Sequence, residues 1–261
     1  MQITTTTLMQ MKQNNEKITA LTAYDYPFAK MLDRAGIEMV LIGDSLGMVV
    51  QGENDTLGVT MDEMIYHSKM VAKACSFSLT VGDMPFMSYQ LSIKKALKNA
   101  GRFLKQGNVS AVKLEGGADI CPVINALTNA GIPVLAHIGL TPQSVNQMGG
   151  FRIQRNEEKL IKDAQDVQSA GAFAVILEGI PSKISKKITN KVKIPTIGIG
   201  AGKECDGQIL VLHDMLGIND KNLPKFVKKY ANFSKDSKKA LLQYIKEVKQ
   251  KDFPSKEHEY K

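Results

Sequence analysis

The chain has 261 residues, 43% of them apolar and 23% charged, with three Cys and no Trp. That balance excludes a disordered chain, and no apolar run approaches the roughly 20 residues that a membrane span needs. The formal charge is +8, but twelve Lys against six acids place +6 of it in residues 220–261, where acids rather than Arg and aromatics are interleaved; a solvated surface is expected there, and no nucleic-acid binding.

Residues 1–17 read as an arm. It has no apolar region ahead of a small-residue cleavage site, so a cytoplasmic protein with no membrane attachment is expected. Apolar, β-branched runs then follow at 18–25, 38–45, 79–86, 111–117, 134–140, 173–180, 196–202 and 209–216. Their cores (EMVLIGD, FAVILEG, ILVLHD) are nearly continuous hydrophobic stretches, as parallel strands buried on both faces require. Helical periods lie between them. Thr60 and Glu63 form a capping box ahead of Met61, Met64, Ile65, Ser68, Val71, Ala72 and Cys75 on one face, and Met61, Met64 and Met70 are expected as core filler. The same spacing recurs in Ile93, Ala96, Leu97, Ala100 and Leu104, in Ile120, Val123, Ile124 and Leu127, and in Leu160, Ile161, Ala164 and Val167. Gly36, Gly131 and Gly171 each stand between a helix and the next strand, where a left-handed residue ends a helix. Cys75, Cys121 and Cys205 occupy no metal or CxxC spacing and are expected to be buried free thiols.

Strand and helix alternating about eight times predict an α/β fold, a (βα)8 TIM barrel formed as a single domain over residues 1–261, with closing helices at about 221–251. A doubly wound open sheet is the alternative.

Active sites of such barrels lie at the C-terminal ends of the strands. The residues closing the apolar runs are Asp25, Asp44 with Ser45, Asp83, Lys113 with Glu115, His137, Glu178, the glycines at 198, 200 and 202, and His213 with Asp214. Buried carboxylates need a compensating cation. Asp44, Asp83 and Glu115 end neighbouring strands and supply only oxygen ligands, which favours a hard divalent ion such as Mg²⁺. The alternative for these acids is helix capping or pairing with Lys113. Lys113 lies on the same side of its strand as Glu115 and suits a substrate carboxylate or a structural ion pair. Glu178 closes an apolar run that would raise its pKa toward that of a general base. His137 is a ligand contact or a core histidine satisfied by backbone. The glycine run suits close packing better than phosphate binding.

These residues, in this order, resemble the ketopantoate (3-methyl-2-oxobutanoate) hydroxymethyltransferase family. The likeness runs through LTAYDYPFAK, GDSLGMVVQG, DEMIYH, GDMPFMSY, AVKLEGG, AHIGLTPQSV, ILEGIP, IPTIGIGAG and CDGQILVLHDMLG in collinear order. One departure is the stretch Met148 to Gln154, which continues into Arg155 where the family often has a glycine. The resemblance implies one Mg²⁺ per subunit on Asp44, Asp83 and Glu115, α-keto acid contacts from Asp44, Ser45, Asp83 and Lys113, and Glu178 as proton acceptor. It also implies transfer of a hydroxymethyl group from 5,10-methylenetetrahydrofolate to 3-methyl-2-oxobutanoate through a metal-stabilised enolate, giving 2-dehydropantoate in the first committed step of pantothenate synthesis. A homo-oligomer, typically a decamer, comes with it. The rival readings are a metal-dependent lyase or mutase of the phosphoenolpyruvate mutase/isocitrate lyase type, where a catalytic Cys in a Lys-Lys-Cys-Gly loop would favour the lyase and this chain has none, and a basic binding protein on a vestigial barrel.

Overall fold

The apolar runs become strands where a side chain every second residue meets the barrel axis and its neighbours meet the helices outside. In the computed structural model, which describes residues 2–219 and 223–260, these are β1 (Ile18–Thr22), β2 (Met39–Ile42), β3 (Leu79–Asp83), β4 (Ala111–Glu115), β5 (Val134–Gly139), β6 (Ala174–Glu178), β7 (Thr196–Ile199) and β8 (Gly207–Leu210). They pair in parallel in sequence order and close between β8 and β1. The closed sheet removes the open-sheet alternative.

Seven strands start within one residue of the expected position. The eighth differs. It begins earlier, at Gly207, whose backbone presses so close to β1 that an added Cβ would lie 2.5 Å from Ile18 O. It also ends at Leu210, and Leu212–Met215 is a helix, so His213 and Asp214 do not close a barrel strand. An unbroken apolar run carries no period that separates strand from helix, which is why the stretch read as one strand.

The barrel interior follows the two-residue period. Ile18 and Ala20, Met39 and Leu41, Leu79 and Val81, Ala111, Leu135, Ala174 and Ile176, Ile197 and Ile209 form one apolar cluster. Leu8 joins it from the helix Thr5–Gln13, which the arm forms behind a Thr4–Thr7 capping box. Lys12 on that helix anchors it to Asp206 Oδ2 (2.7 Å) and Thr189 O (3.1 Å). Because Leu8 packs with residues at the strand starts, the helix closes the N-terminal end of the barrel.

Outside, the helices bury the stripes their periods specify, with adjustments. The helix Met61–Ala74 carries the expected Thr60–Glu63 box and buries Met64, Ile65, Ser68, Val71 and Ala72. On Ile93–Lys105 the buried face is Ala96, Asn99, Ala100 and Phe103, while Ile93 is exposed. The face is turned because Gly82 on β3 leaves room for Phe103 directly against the strand. Gly36, Gly131 and Gly171 all adopt the left-handed conformation expected of them. The three cysteines are free, but only Cys205 is fully buried.

The chain divides into two compact units, Met1–Val211, which holds the barrel, and Leu212–Lys261. The second contains the helix Phe233–Gln250, capped by Asn232, with Leu241, Leu242, Tyr244, Ile245 and Val248 exposed. The start of the expected closing segment, residues 221 and 222, lies outside the described residues. No helix of the described residues is long and apolar enough to cross a membrane.

Candidate active site

The alternation that fills the barrel with apolar side chains also builds its charged layer. Two residues beyond Val81 is Asp83, two and four beyond Ala111 are Lys113 and Glu115, two beyond Leu135 is His137, and two beyond Ile176 is Glu178. Strand register then sets them side by side, with Asp83 opposite Lys113 and Glu115 opposite His137. The result is a row of polar side chains along β3 to β6, at the C-terminal ends of the strands, all buried except Glu178, whose side chain keeps 17% exposure.

Lys113 sits between two acids, its Nζ 2.7 Å from Asp83 Oδ1 and 3.0 Å from Glu115 Oε1. Burial opposes the charged ammonium, but Asp83 and then Glu115 outweigh it and hold its pKa well above the usual lysine value. Burial works equally against the Glu115 carboxylate, yet Lys113 and His137 bring it down to about 2. His137 lies between two carboxylates, Nδ1 3.3 Å from Glu115 Oε1 and Nε2 3.2 Å from Glu178 Oε2. Burial depresses its pKa and the Glu115 charge more than reverses this, lifting it to about 9. His137 is therefore flanked by carboxylates at ion-pair distance, and among the described residues its ring nitrogens make no hydrogen bond to backbone. Glu178 is correspondingly not enclosed in apolar surroundings, because its partner is this imidazole and it reaches solvent.

Asp44 follows β2 and lies beside Asp83, its N–H donating to Asp83 Oδ2 at 3.1 Å. Its carboxyl is pushed well above the usual range, first by burial and then by the Asp83 charge, with Lys113 only partly compensating. Asp83 is also raised, by burial foremost. Ser45 Oγ lies 2.8 Å from Tyr24 Oη. Asp25 has a separate job: it caps the helix Tyr26–Ala35 by accepting from Phe28 N–H at 2.9 Å. In the glycine run, Gly198 packs on Cys205 and Gly202 on Ser182, where a Cβ would come within 2.9 and 2.5 Å, in keeping with close packing.

Among the described residues no three His, Cys, Asp or Glu side chains already form a metal cage, since Lys113 bridges Asp83 and Glu115. The donor set nevertheless fits a hard cation. Asp44 and Asp83 offer adjacent carboxyl groups, Glu115 stands across the ammonium, and with Glu178 four acids face one ammonium and one imidazolium, which leaves negative charge that a divalent ion would balance.

The ketopantoate hydroxymethyltransferase family model matches residues 2–256. The 3-methyl-2-oxobutanoate hydroxymethyltransferase of Desulforapulum autotrophicum is 64% identical over 259 residues, covering 99% of this chain and 98% of the relative. The chain belongs to the ketopantoate hydroxymethyltransferase family. The protein of the same description from Clostridium beijerinckii is 54% identical over 265 residues, covering 100% of this chain and 96% of the relative. Family membership makes the chain a hydroxymethyl-transferring enzyme of the pantothenate pathway that acts on small molecules. Among solved structures, phosphonopyruvate hydrolase in complex with oxalate and Mg²⁺ is similar with a TM-score of 0.64 at 13% identity, covering 99% of this chain and 90% of the other. A 2,3-dimethylmalate lyase of the PEP mutase/isocitrate lyase superfamily gives 0.63 at 16% identity, over 99% and 92%. At that identity these two share the fold alone, which is why the rival lyase or mutase reading arose from barrel and acids without being the family.

Two ketopantoate hydroxymethyltransferase motifs carry site residues with no role assigned from sequence. Tyr89 ends GDMPFMSY, and its hydroxyl accepts from Glu115 N–H at 3.1 Å. Gln143 in AHIGLTPQSV donates from Nε2 to Asp44 Oδ2 at 2.9 Å and from its backbone N–H to Glu115 Oε2 at 3.0 Å. Their place in those motifs was the available signal. Neither is titratable near neutral pH nor closes a strand, so neither drew notice.

Proposed function

We propose that the chain catalyses hydroxymethyl transfer from 5,10-methylenetetrahydrofolate to 3-methyl-2-oxobutanoate with Glu178 as base and a divalent cation, Mg²⁺, held by Asp44, Asp83 and Glu115. The observation that carries this is the row Asp83, Lys113, Glu115, His137 and Glu178 at the mouth of the barrel, cationic and anionic groups alternating along β3 to β6. A barrel of the same fold, phosphonopyruvate hydrolase, is known in complex with oxalate and Mg²⁺. When bound, the metal supplies Lewis-acid polarisation of the substrate's keto oxygen.

The chain's own residues do the rest. Lys113 and Ser45 receive the substrate carboxylate and keto oxygen, with Asp44 and Asp83 fixing their approach. His137 holds Glu178 by Oε2, leaving its second oxygen to take the C3 proton. The C3–H electron pair moves toward the keto carbonyl. Water cleaves the two C–N bonds of the folate methylene bridge, releasing tetrahydrofolate and the one-carbon unit as formaldehyde. C3 bonds to that carbon while its oxygen takes the proton held by Glu178 to become the hydroxyl of 2-dehydropantoate. Burial of Asp83, Lys113, Glu115 and His137 keeps bulk water from the carboxylate and keto end of the substrate.

Exchange of the C3 hydrogen in D₂O separates proton removal from one-carbon transfer and needs no folate. With Mg²⁺, the wild-type protein is expected to exchange it, and Glu178→Gln to bind the keto acid while exchanging about 10² to 10⁴ times more slowly. Proton NMR of the methine and methyl signals reports the rates. Equal exchange by the variant would remove Glu178 as the base.

A further inference from the structure

The Gln143 side chain uses both ends of its amide, and the pattern settles which way round it sits. Tyr89 Oη accepts from Glu115 N–H, so its single proton is left for the shorter of two contacts, Gln143 Oε1 at 2.8 Å against Glu115 O at 3.1 Å. Gln90 Nε2 approaches the same Oε1 at 3.4 Å. With donors on Oε1, the two Nε2 hydrogens face two acceptors, Asp44 Oδ2 and Met84 O, each at 2.9 Å. The backbone N–H of the same residue holds Glu115 Oε2. The turn Pro142–Ser144 after β5 thus grips one acid that follows β2 and another that ends β4.

We propose that Gln143 is a positioning residue for cation uptake: its amide and its backbone N–H hold the Asp44 and Glu115 carboxylates in the orientation that receives a divalent ion, and Tyr89 keeps the amide the right way round. The inference rests on the reading of Asp44, Asp83 and Glu115 as the metal acids. The physical reason is pre-organisation. A buried carboxylate without this donor turns toward whatever other donor it can reach and must be turned back when the cation arrives, whereas one already gripped needs no such rearrangement. Outer partners of metal-binding carboxylates contribute to affinity in this way. Gln143 bonds one oxygen of Asp44, and so orients the group instead of neutralising it.

The test is Mn²⁺ binding to the purified full chain, followed by electron paramagnetic resonance, with thermal unfolding of the metal-free protein measured beside it. Wild type is expected to bind Mn²⁺ and release it to excess Mg²⁺. Gln143→Met, similar in volume but without donors, should bind Mn²⁺ about 10 to 100 times more weakly. Tyr89→Phe removes the hydroxyl that sets the amide, and with it the acceptor for Glu115 N–H, and should weaken binding about fivefold, the equivalent of one hydrogen bond. A merely structural residue would lower the unfolding temperature and leave the Mn²⁺ affinity of the folded protein unchanged. Wild-type affinity in both folded variants overturns the proposal. If Gln143→Met does not fold, Tyr89→Phe decides alone, and wild-type affinity there overturns it as well. A wild-type protein that retains no Mn²⁺ overturns the metal reading itself and the proposal with it.

Discussion

Asp33 and Lys113 are both buried and charged, and they show how neighbours decide what a buried charge does. Lys113 lies among acids that it neutralises, in the layer where chemistry is proposed. Asp33 lies away from that layer and serves stability. Its Oδ1 accepts from the N–H groups of Ser76, Phe77 and Ser78 at 3.0, 2.8 and 2.9 Å, and its Oδ2 accepts from Ser76 Oγ at 3.0 Å. Burial would raise its pKa, but the backbone N–H donors, Ser78 first, overcome burial and bring it down to about 2. A carboxylate whose folded pKa is depressed contributes its stability in full above its unfolded pKa, near 4, and loses it as the pH falls through the folded value. Asp33→Ala should therefore cost about 3 kcal/mol at pH 7, with several buried donors left unpaired, and the gap to wild type should narrow from about pH 4 downward. Urea unfolding at pH 7 and pH 3 measures both. Equal stability at pH 7 would show that the segment 76–78 finds other acceptors.

At the level of elements, β3 and the helix Ile93–Lys105 meet more closely than side chains normally allow. A Cβ on Gly82 would stand 2.3 Å from Phe103 Cδ1, and Phe103 is fully buried. The glycine lets the helix press an aromatic ring onto the strand one residue before Asp83, so packing outside the barrel helps set an acid inside it. Gly82→Ala should overpack this contact and destabilise the protein by about 1–3 kcal/mol, and Phe103→Leu in the same chain should recover part of the loss. Thermal unfolding of the single and double variants checks this. A Gly82→Ala protein as stable as wild type would mean that the helix shifts freely. The helical face at Ile93 to Leu104 was only half legible in the sequence for the same reason. Periodicity marks a stripe, but a glycine on another element rotated the helix by making a deeper seat for Phe103.

Over the barrel as a whole, the two ends divide the work. The N-terminal end is apolar, closed by Leu8 on its own helix, and the C-terminal end holds the charged row. Leu8→Ala should leave a cavity at the closed end and cost about 2–5 kcal/mol while leaving keto acid affinity unchanged, because the strand starts and strand ends of a barrel serve stability and chemistry separately. Unfolding and keto acid calorimetry on one preparation compare the two effects. A matching loss of affinity would show that the ends are coupled.

The alternation of apolar runs with helical periods was enough to predict parallel strands with helices between them, because two-sided burial of strands and one-sided burial of helices are local patterns, whereas closure into a barrel instead of an open sheet was decided by the pairing of β8 with β1. The family was legible as well, since its motifs are contiguous strings. Asp44, Asp83, Lys113, Glu115, His137 and Glu178 could be picked out because a polar residue closing an apolar strand is itself a local anomaly. Tertiary structure alone decided that Asp25 is a helix cap and that Lys113 stands between Asp83 and Glu115. It alone put His137 between two carboxylates, Leu8 in the barrel floor, and Gln143 across from an acid 99 residues away. Such contacts depend on strand register and barrel closure, which bring distant residues within hydrogen-bond reach and leave no trace in the spacing of either partner.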